Sequence, residues 1–257
     1  MKNTIKIALH LILIIIIPCY SFSDTTVKVE IGQGKAEITH LNGSAFLIND
    51  EGSELKPLAN GNFLEQGNRV KTKSKARIEL KLPDKSFVRF DEDTVFQLKA
   101  LSIDEQKNER NIKIEIILGN TWAKVASFFG SKDSNFELFS KVAVAGVRGT
   151  TYRANIKESG WTEVKVYGGE VAVSGIPQNQ KADSSSKPPI LGKPTSVQGP
   201  TSITGPKSVS PEEWTYIVRS MQQIVINPDG APTKPFRFSP EADMNDWVKW
   251  NQMRDSN

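Results

Sequence analysis

Arg148 and Arg153 bracket Gly149-Thr150-Thr151, and this run is where the sequence comes nearest to a binding site. A guanidinium presents a fork of donors that suits a carboxylate, so Arg148 is a candidate partner contact. The competing reading is structural. A glycine between an arginine and two threonines marks a tight bend or a close backbone approach, here the motif Gly149-Thr150, with Arg148 buried or bridging and fixing the bend by bonds to nearby carbonyls; that structural reading is preferred. Trp161, which follows Ser159-Gly160 in a loop, is the second candidate, because exposed aromatics bind sugars and protein partners. Trp122, just after Gly119-Asn120, is a weaker one.

The remaining chemistry is sparse. Asp91-Glu92-Asp93 is the densest acidic cluster, and carboxylate oxygens suit Ca²⁺ or Mg²⁺. The spacing of a calcium loop is missing, so the cluster reads as a solvated turn. His40 is the one histidine outside the N-terminal apolar run, and a lone imidazole without partners makes a poor general base. No Ser-His-Asp or Cys-His set can be assembled. Gly32-Gln33-Gly34 lacks the third glycine and the strand-to-helix setting of a phosphate loop. No catalytic, metal or cofactor-binding residue is therefore assigned. No cofactor is expected, and the chain reads as a non-enzyme.

The elements that must position these residues are mostly strands. From Val27 to about Gly175 apolar and polar residues alternate with period two, rich in β-branched and aromatic types. In Ala76–Leu82, Ile78, Leu80 and Leu82 face one way and Arg77, Glu79 and Lys81 the other. A helix would place charges on the buried face. Pro83-Asp84-Lys85 turns the chain into a return strand, Ser86–Phe90. Asn42-Gly43, Gly119-Asn120 and Gly168-Gly169 each lie between two alternating runs, which predicts three tight hairpins. Together these predict a mainly β fold, an antiparallel β-sandwich or β-roll over residues 24–175.

Residues 176–209 are rich in Ser, Pro, Gly, Lys and Thr and read as a linker or surface strap. Residues 210–257 read as two C-terminal helices. Ser210-Pro211-Glu212-Glu213 has the form of a capping box, and Trp214, Ile217, Val218 and Met221 follow at helical spacing. Ser239-Pro240-Glu241 starts the second, with Met244, Trp247, Val248 and Trp250 on its apolar side.

Lys2 and Lys6, the apolar run Ile7–Ile17, and Ser21-Phe22-Ser23 form the three-part pattern of a secretory signal over residues 1–23, with cleavage expected after Ser23. The run is short for a membrane span. An uncleaved anchor and a lipidated Cys19 are the alternatives; cleavage would leave no cysteine. The formal charge of +4 comes from 33 basic and 29 acidic residues, and losing Lys2 and Lys6 leaves +2. That balance gives no reason to expect nucleic acid.

The stretch from about Gly61 to Gly175 resembles the FecR-domain proteins. The likeness is carried by Gly67-Asn68-Arg69-Val70-Lys71-Thr72, the strand pair Ile78–Phe90, Gly119-Asn120-Thr121-Trp122, Val147–Arg153, and Val164–Val173. The best-known members regulate iron uptake: a cytoplasmic segment handles a sigma factor, and this domain in the periplasm takes part in receiving a signal from an outer-membrane receptor. Only Met1–Lys6 precede the apolar run here, so the chain looks more like the stand-alone exported members without a sigma-regulating segment. The resemblance implies a periplasmic or cell-envelope binding module whose partner is an envelope protein, peptidoglycan or a polysaccharide. Membrane contact is expected only if the N-terminus is retained or lipidated. The alternative is a periplasmic signal-transduction component related to sigma-factor regulators.

Overall fold

A computed structural model describes residues 34–104, 106–127, 134–147, 149–176 and 214–256. The alternating stretches form strands: β1 (Ala36–Asn42), β2 (Ala45–Ile48), β3 (Glu54–Pro57), β4 (Phe63–Leu64), β5 (Arg69–Thr72), β6 (Arg77–Lys81), β7 (Phe87–Phe90), β8 (Val95–Asp104), β9 (Glu109–Lys124), β10 (Asn135–Phe139), β11 (Ala143–Val147), β12 (Thr151–Ile156), β13 (Thr162–Gly168) and β14 (Glu170–Gly175). After the undescribed stretch come β15 (Thr215–Arg219), β16 (Gln222–Ile226), β17 (Phe236–Arg237), α1 (Pro240–Asp243) and α2 (Asp246–Asp255). The mainly β class with two short C-terminal helices follows the sequence expectation. No described residue before Gly175 is helical.

The strands build two sheets. Sheet I runs β4-β1-β6-β7-β9-β12-β13-β16-β17. Sheet II runs β3-β2-β5-β8-β9-β10-β11-β14-β15. All neighbours are antiparallel except β9 and β10. The inward faces meet in one core. Ile78, Leu80, Val88 and Phe90 come from sheet I, and Phe96, Leu98, Ile112 and Ile114 from sheet II. The Phe90 and Phe96 rings stack across it, centroids 3.5 Å apart.

None of the three expected glycine hairpins is a hairpin. β1 pairs in sheet I and β2 in sheet II, so Asn42-Gly43 carries the chain from one sheet to the other. Gly119 sits inside the continuous β9, whose first half pairs in sheet II and second half in sheet I. Gly168-Gly169 passes from β13 in sheet I to β14 in sheet II. The same construction recurs between β5 and β6, β7 and β8, β11 and β12, and β15 and β16. Each corner holds one residue of positive φ: Gly43, Lys75, Asp93, Gly119, Gly149, Gly169 or Met221. The chain therefore behaves as a series of bent strands, each serving both sheets. True hairpins lie elsewhere, as at Pro83-Asp84-Lys85 between β6 and β7.

The helix expected from Ser210 is also corrected. Its capping residues lie outside the described residues, and Thr215 onwards is extended. Val218 pairs with Val171 and Tyr216 with Val173. Val218 is buried while its neighbour Ile217 is exposed, the period of a strand. The β-branched run Thr215-Ile217-Val218 suits sheet, and β14 supplies the neighbour that makes it one. Trp214 packs against the main core as expected, its Nε1 donating to the Gly230 carbonyl at 3.1 Å. Both observed helices lie within the second expected helix. Ser239 caps α1 by accepting from the Ala242 amide. Asn245, with extended backbone, breaks the chain and caps α2 by accepting from Val248.

Gly119 should be the least replaceable corner. Its φ is +103°, and a Cβ there would lie 2.3 Å from Thr94 Oγ1 and 2.7 Å from Thr94 Cα. Gly119→Ala should destabilise the protein by about 2 to 5 kcal/mol, combining backbone strain with overpacking. Gly52→Ala, at φ +87° in open space, should cost only about 1 to 2 kcal/mol. Urea midpoints of the two variants compare them directly.

Candidate functional site

The outward face of sheet I carries a row of polar and aromatic residues in register. Strand pairing sets His40 opposite Glu79, Glu79 opposite Arg89, Arg89 opposite Trp122, Trp122 opposite Arg153, Arg153 opposite Lys165, and Lys165 opposite Gln223. Residues on either side of these along each strand, such as Leu80, Val88, Ala123 and Ala154, point into the core. Alternation therefore directs the row outward.

The row is nevertheless covered. Glu79 and Arg89 are only 3% and 2% exposed, because the C-terminal strap carrying α1 and α2 lies over them. Arg89 Nε donates to Glu79 Oε2 at 2.5 Å, and Arg254 of α2 donates to both Glu79 oxygens at 2.9 and 2.7 Å. Thr39 Oγ1 donates to the same carboxylate at 2.8 Å. Burial pushes the Glu79 carboxyl up, but the bonds from Arg254, Arg89 and Thr39 outweigh it and bring the pKa down to about 2.

Two aspartates of the strap meet donors of the row. Asp255 Oδ1 accepts from Arg89 Nη1 at 2.7 Å, Asp255 Oδ2 accepts from Trp122 Nε1 at 3.0 Å, and the Asp255 carbonyl accepts from Lys124 Nζ at 2.6 Å. Asp243 Oδ1 accepts from Arg153 Nη2 and, at 2.8 Å, from Lys165 Nζ, while Asp243 Oδ2 accepts from the Tyr167 hydroxyl. Burial holds the Tyr167 phenol well above its usual range, so it donates at any ordinary pH. Trp247 and Val248 of α2 pack on Trp122. The Trp250 ring has the guanidinium carbons of Arg254, Arg77 and Arg89 at 5.3, 5.5 and 6.0 Å, and the His40 ring at 5.7 Å. Burial, then Arg254, lowers the His40 pKa, and Glu79 opposes them. His40 thus forms one end of the aromatic cluster.

The residues singled out in the sequence fare unevenly. Arg148 and Ser23 lie outside the described residues. Gly149, at φ +62°, and Thr150 form the corner between β11 and β12. The Thr150 carbonyl accepts from the Val125 amide at 2.9 Å. Trp161 sits in the β12–β13 turn, 41% exposed, its carbonyl accepting from Lys157. It does not join the row. Arg153 does, and is 7% exposed. Asp91 bonds Arg77 at 3.0 Å, and Glu92 accepts from the Lys75 amide, so the acidic cluster braces a corner. Among the described residues no three His, Cys, Asp or Glu side chains group as metal ligands. Sequence reasoning missed Glu79, Arg89, Lys165, Tyr167, Asp243 and Asp255. The β6–β7 turn already implied a Glu79–Arg89 cross-strand pair; the strap aspartates had no local signal.

The Glu79 shift sets the acid stability. Its pKa falls from an ordinary value near 4.5 to about 2. The stabilisation is thus complete above the unfolded value and is lost as pH drops from 4.5 towards 2. It amounts to about 3 kcal/mol at neutral pH. Glu79→Gln should lower stability at pH 7 and flatten the loss between pH 4.5 and 2, measured by urea unfolding across that range.

Comparison with known proteins agrees with the resemblance seen in the sequence. Residues 68–172 match the family model described as FecR protein. Two solved structures of a candidate anti-sigma factor from Parabacteroides distasonis are similar at 13% and 14% identity, with TM-scores of 0.44 and 0.43. Each match covers 67% of this chain and 61% of that one. No curated protein matches the chain. The segment that matches the FecR family model, Asn68 to Ala172, holds the bent strand β9 and most of the outward row.

Proposed function

We propose that this chain is an exported FecR-domain module of the bacterial cell envelope that works by docking a partner and not by turning over a substrate. The observation that carries this reading is the shape of its polar site. A small-molecule site gathers a few polar groups at a concave point. Here the groups from His40 to Gln223 are spread across adjacent strands of one sheet face, and those from His40 to Lys165 are each engaged by a neighbour. An extended, register-fixed face of this kind suits another chain. Of the partner classes open to an envelope module, a protein fits it better than peptidoglycan or a polysaccharide, because the row is dominated by charge and not by bare aromatic platforms. Nucleic acid does not fit, since Arg89 and Arg153 are matched by carboxylates.

Export rests on Lys2 and Lys6, the apolar run Ile7–Ile17, and Ser21-Phe22-Ser23. Among the described residues no helix is long and apolar enough to cross a membrane. The FecR match itself favours a second reading, a periplasmic signal-transduction component related to sigma-factor regulators. That role requires the chain to remain tethered to the membrane.

The N-terminal residue and mass of the protein from fractionated cells separate the two. The expected result is an Asp24 N-terminus in the soluble envelope fraction. An intact or lipidated N-terminus in the membrane fraction selects the tethered sensor. Recovery in the cytoplasm with Met1 retained overturns both.

A further inference from the structure

The strap and the sandwich are separable in their packing. Among the described residues, the main core takes none beyond Ile226. Trp247 and Val248 of the strap form a second, small cluster with Trp122 on the outer face. The helices α1 and α2 are too short to be stable alone. Most of what holds the strap is polar: Arg254 bonds both oxygens of Glu79, and the strap's own carboxylates, Asp243 and Asp255, take the remaining donors of the row.

Each carboxylate occupies a socket built by the sheet. One socket is Arg153, Lys165 and Tyr167, which together give Asp243 three donors. The other is Arg89, Trp122 and Lys124, which serve the carboxylate and carbonyl of Asp255. Charge-assisted donors fixed in this way are a strong form of carboxylate recognition. The sockets are oriented by the sheet itself. Arg89 is held by Glu79 at 2.5 Å, and Lys165 lies 3.5 Å from Glu163. Beyond the Asp255 socket, towards β6 and β1, the face accepts an indole: Arg77 and Arg89 flank Trp250, and His40 lies 5.7 Å from it.

Resting on the reading of this chain as a binding module, we propose that the outward face of sheet I is a docking site for an acidic, tryptophan-bearing helical segment of an envelope protein, which its own C-terminal strap occupies in cis. The strap shows the ligand chemistry: two carboxylates twelve positions apart with an indole between them. Release is feasible because the row lies on the outside of the sandwich. When the strap leaves, Arg89 and Arg153 pass into water and not into a dry core, so the usual penalty of an unpaired buried charge does not arise. The strap then acts as a tethered competitor, and a partner binds in proportion to the fraction of molecules whose face is uncovered.

The probe is a fluorescent synthetic peptide with the sequence of residues 239–256, titrated against the full chain and against the full chain carrying Asp243→Asn and Asp255→Asn. The substituted chain, with its strap loosened, should bind the peptide at least about tenfold more tightly than the unsubstituted chain does. A peptide carrying the same two substitutions should bind at least about tenfold more weakly. No binding by a substituted chain that keeps its β dichroism spectrum overturns the proposal, as does equal binding of both peptides. If the substituted chain does not fold, hydrogen exchange in the unsubstituted protein decides. Raising salt from about 0.05 to 0.5 M screens the sockets and should expose the α2 amides while β6, β7 and β9 stay protected. Protection of α2 unchanged by salt, or lost together with those strands, overturns it. None of these outcomes alters the fractionation result, so failure of the docking chemistry is distinct from failure of the envelope-module reading.

Discussion

Strand β9 carries both sheets. Its first half pairs with β8 and β10 in sheet II and its second half with β7 and β12 in sheet I. Bending one strand between two sheets needs a residue that turns the backbone without leaving the extended chain, and Gly119 does this where Thr94 leaves no room for a side chain. The other corners follow the same geometry because each bent strand must follow its neighbour round the edge of the core. Once β9 bends, Trp122 is fixed on the outside of sheet I between Arg89 and Arg153. The polar row is thus a consequence of where the bend falls.

This explains which parts of the fold were legible in the sequence. Period-two alternation is set by burial on one side, so Ile78, Leu80 and Leu82 were read correctly as core. The connections were not legible. Asn42-Gly43, Gly119-Asn120 and Gly168-Gly169 carry a positive φ whether the chain doubles back or turns a corner, and local sequence does not distinguish the two. The partner strand decides, and it comes from elsewhere in the chain. The stretch from Trp214 to Met221 fails for a related reason. Trp214, Ile217, Val218 and Met221 satisfy a helical spacing, yet pairing with β14 outweighs that local preference.

The site was less legible than the fold. Every member of the row occupies the position that alternation assigns to solvent, and Glu79, Arg89 and Lys165 each read alone as an ordinary surface charge. Their burial comes from a segment far along the chain: Arg89 and Asp255 are 166 residues apart. The Arg148–Arg153 region drew attention for its unusual residue types. Gly149 and Thr150 form a corner, and Arg153, two strands from Arg89, reaches the row.

The row differs from a buried ion pair in a hydrophobic core, where desolvation commonly cancels the Coulombic gain. Glu79 and Arg89 are dry only because the strap covers them, and they face each other before it arrives, since β6 and β7 are joined by a tight turn. Most of the cost of orienting the guanidinium is therefore met by the sheet. The carboxylate of Asp255 meets a donor already in place, and so does Asp243 at Arg153 and Lys165. In the docking proposed for it, a preoriented face needs little further ordering to hold an acidic segment, so its selectivity would lie in carboxylate spacing and in the indole that Arg77 and Arg89 flank. The docking proposed for this face relies on the same preorganisation, because the sockets are oriented by strand pairing in sheet I and not by the strap.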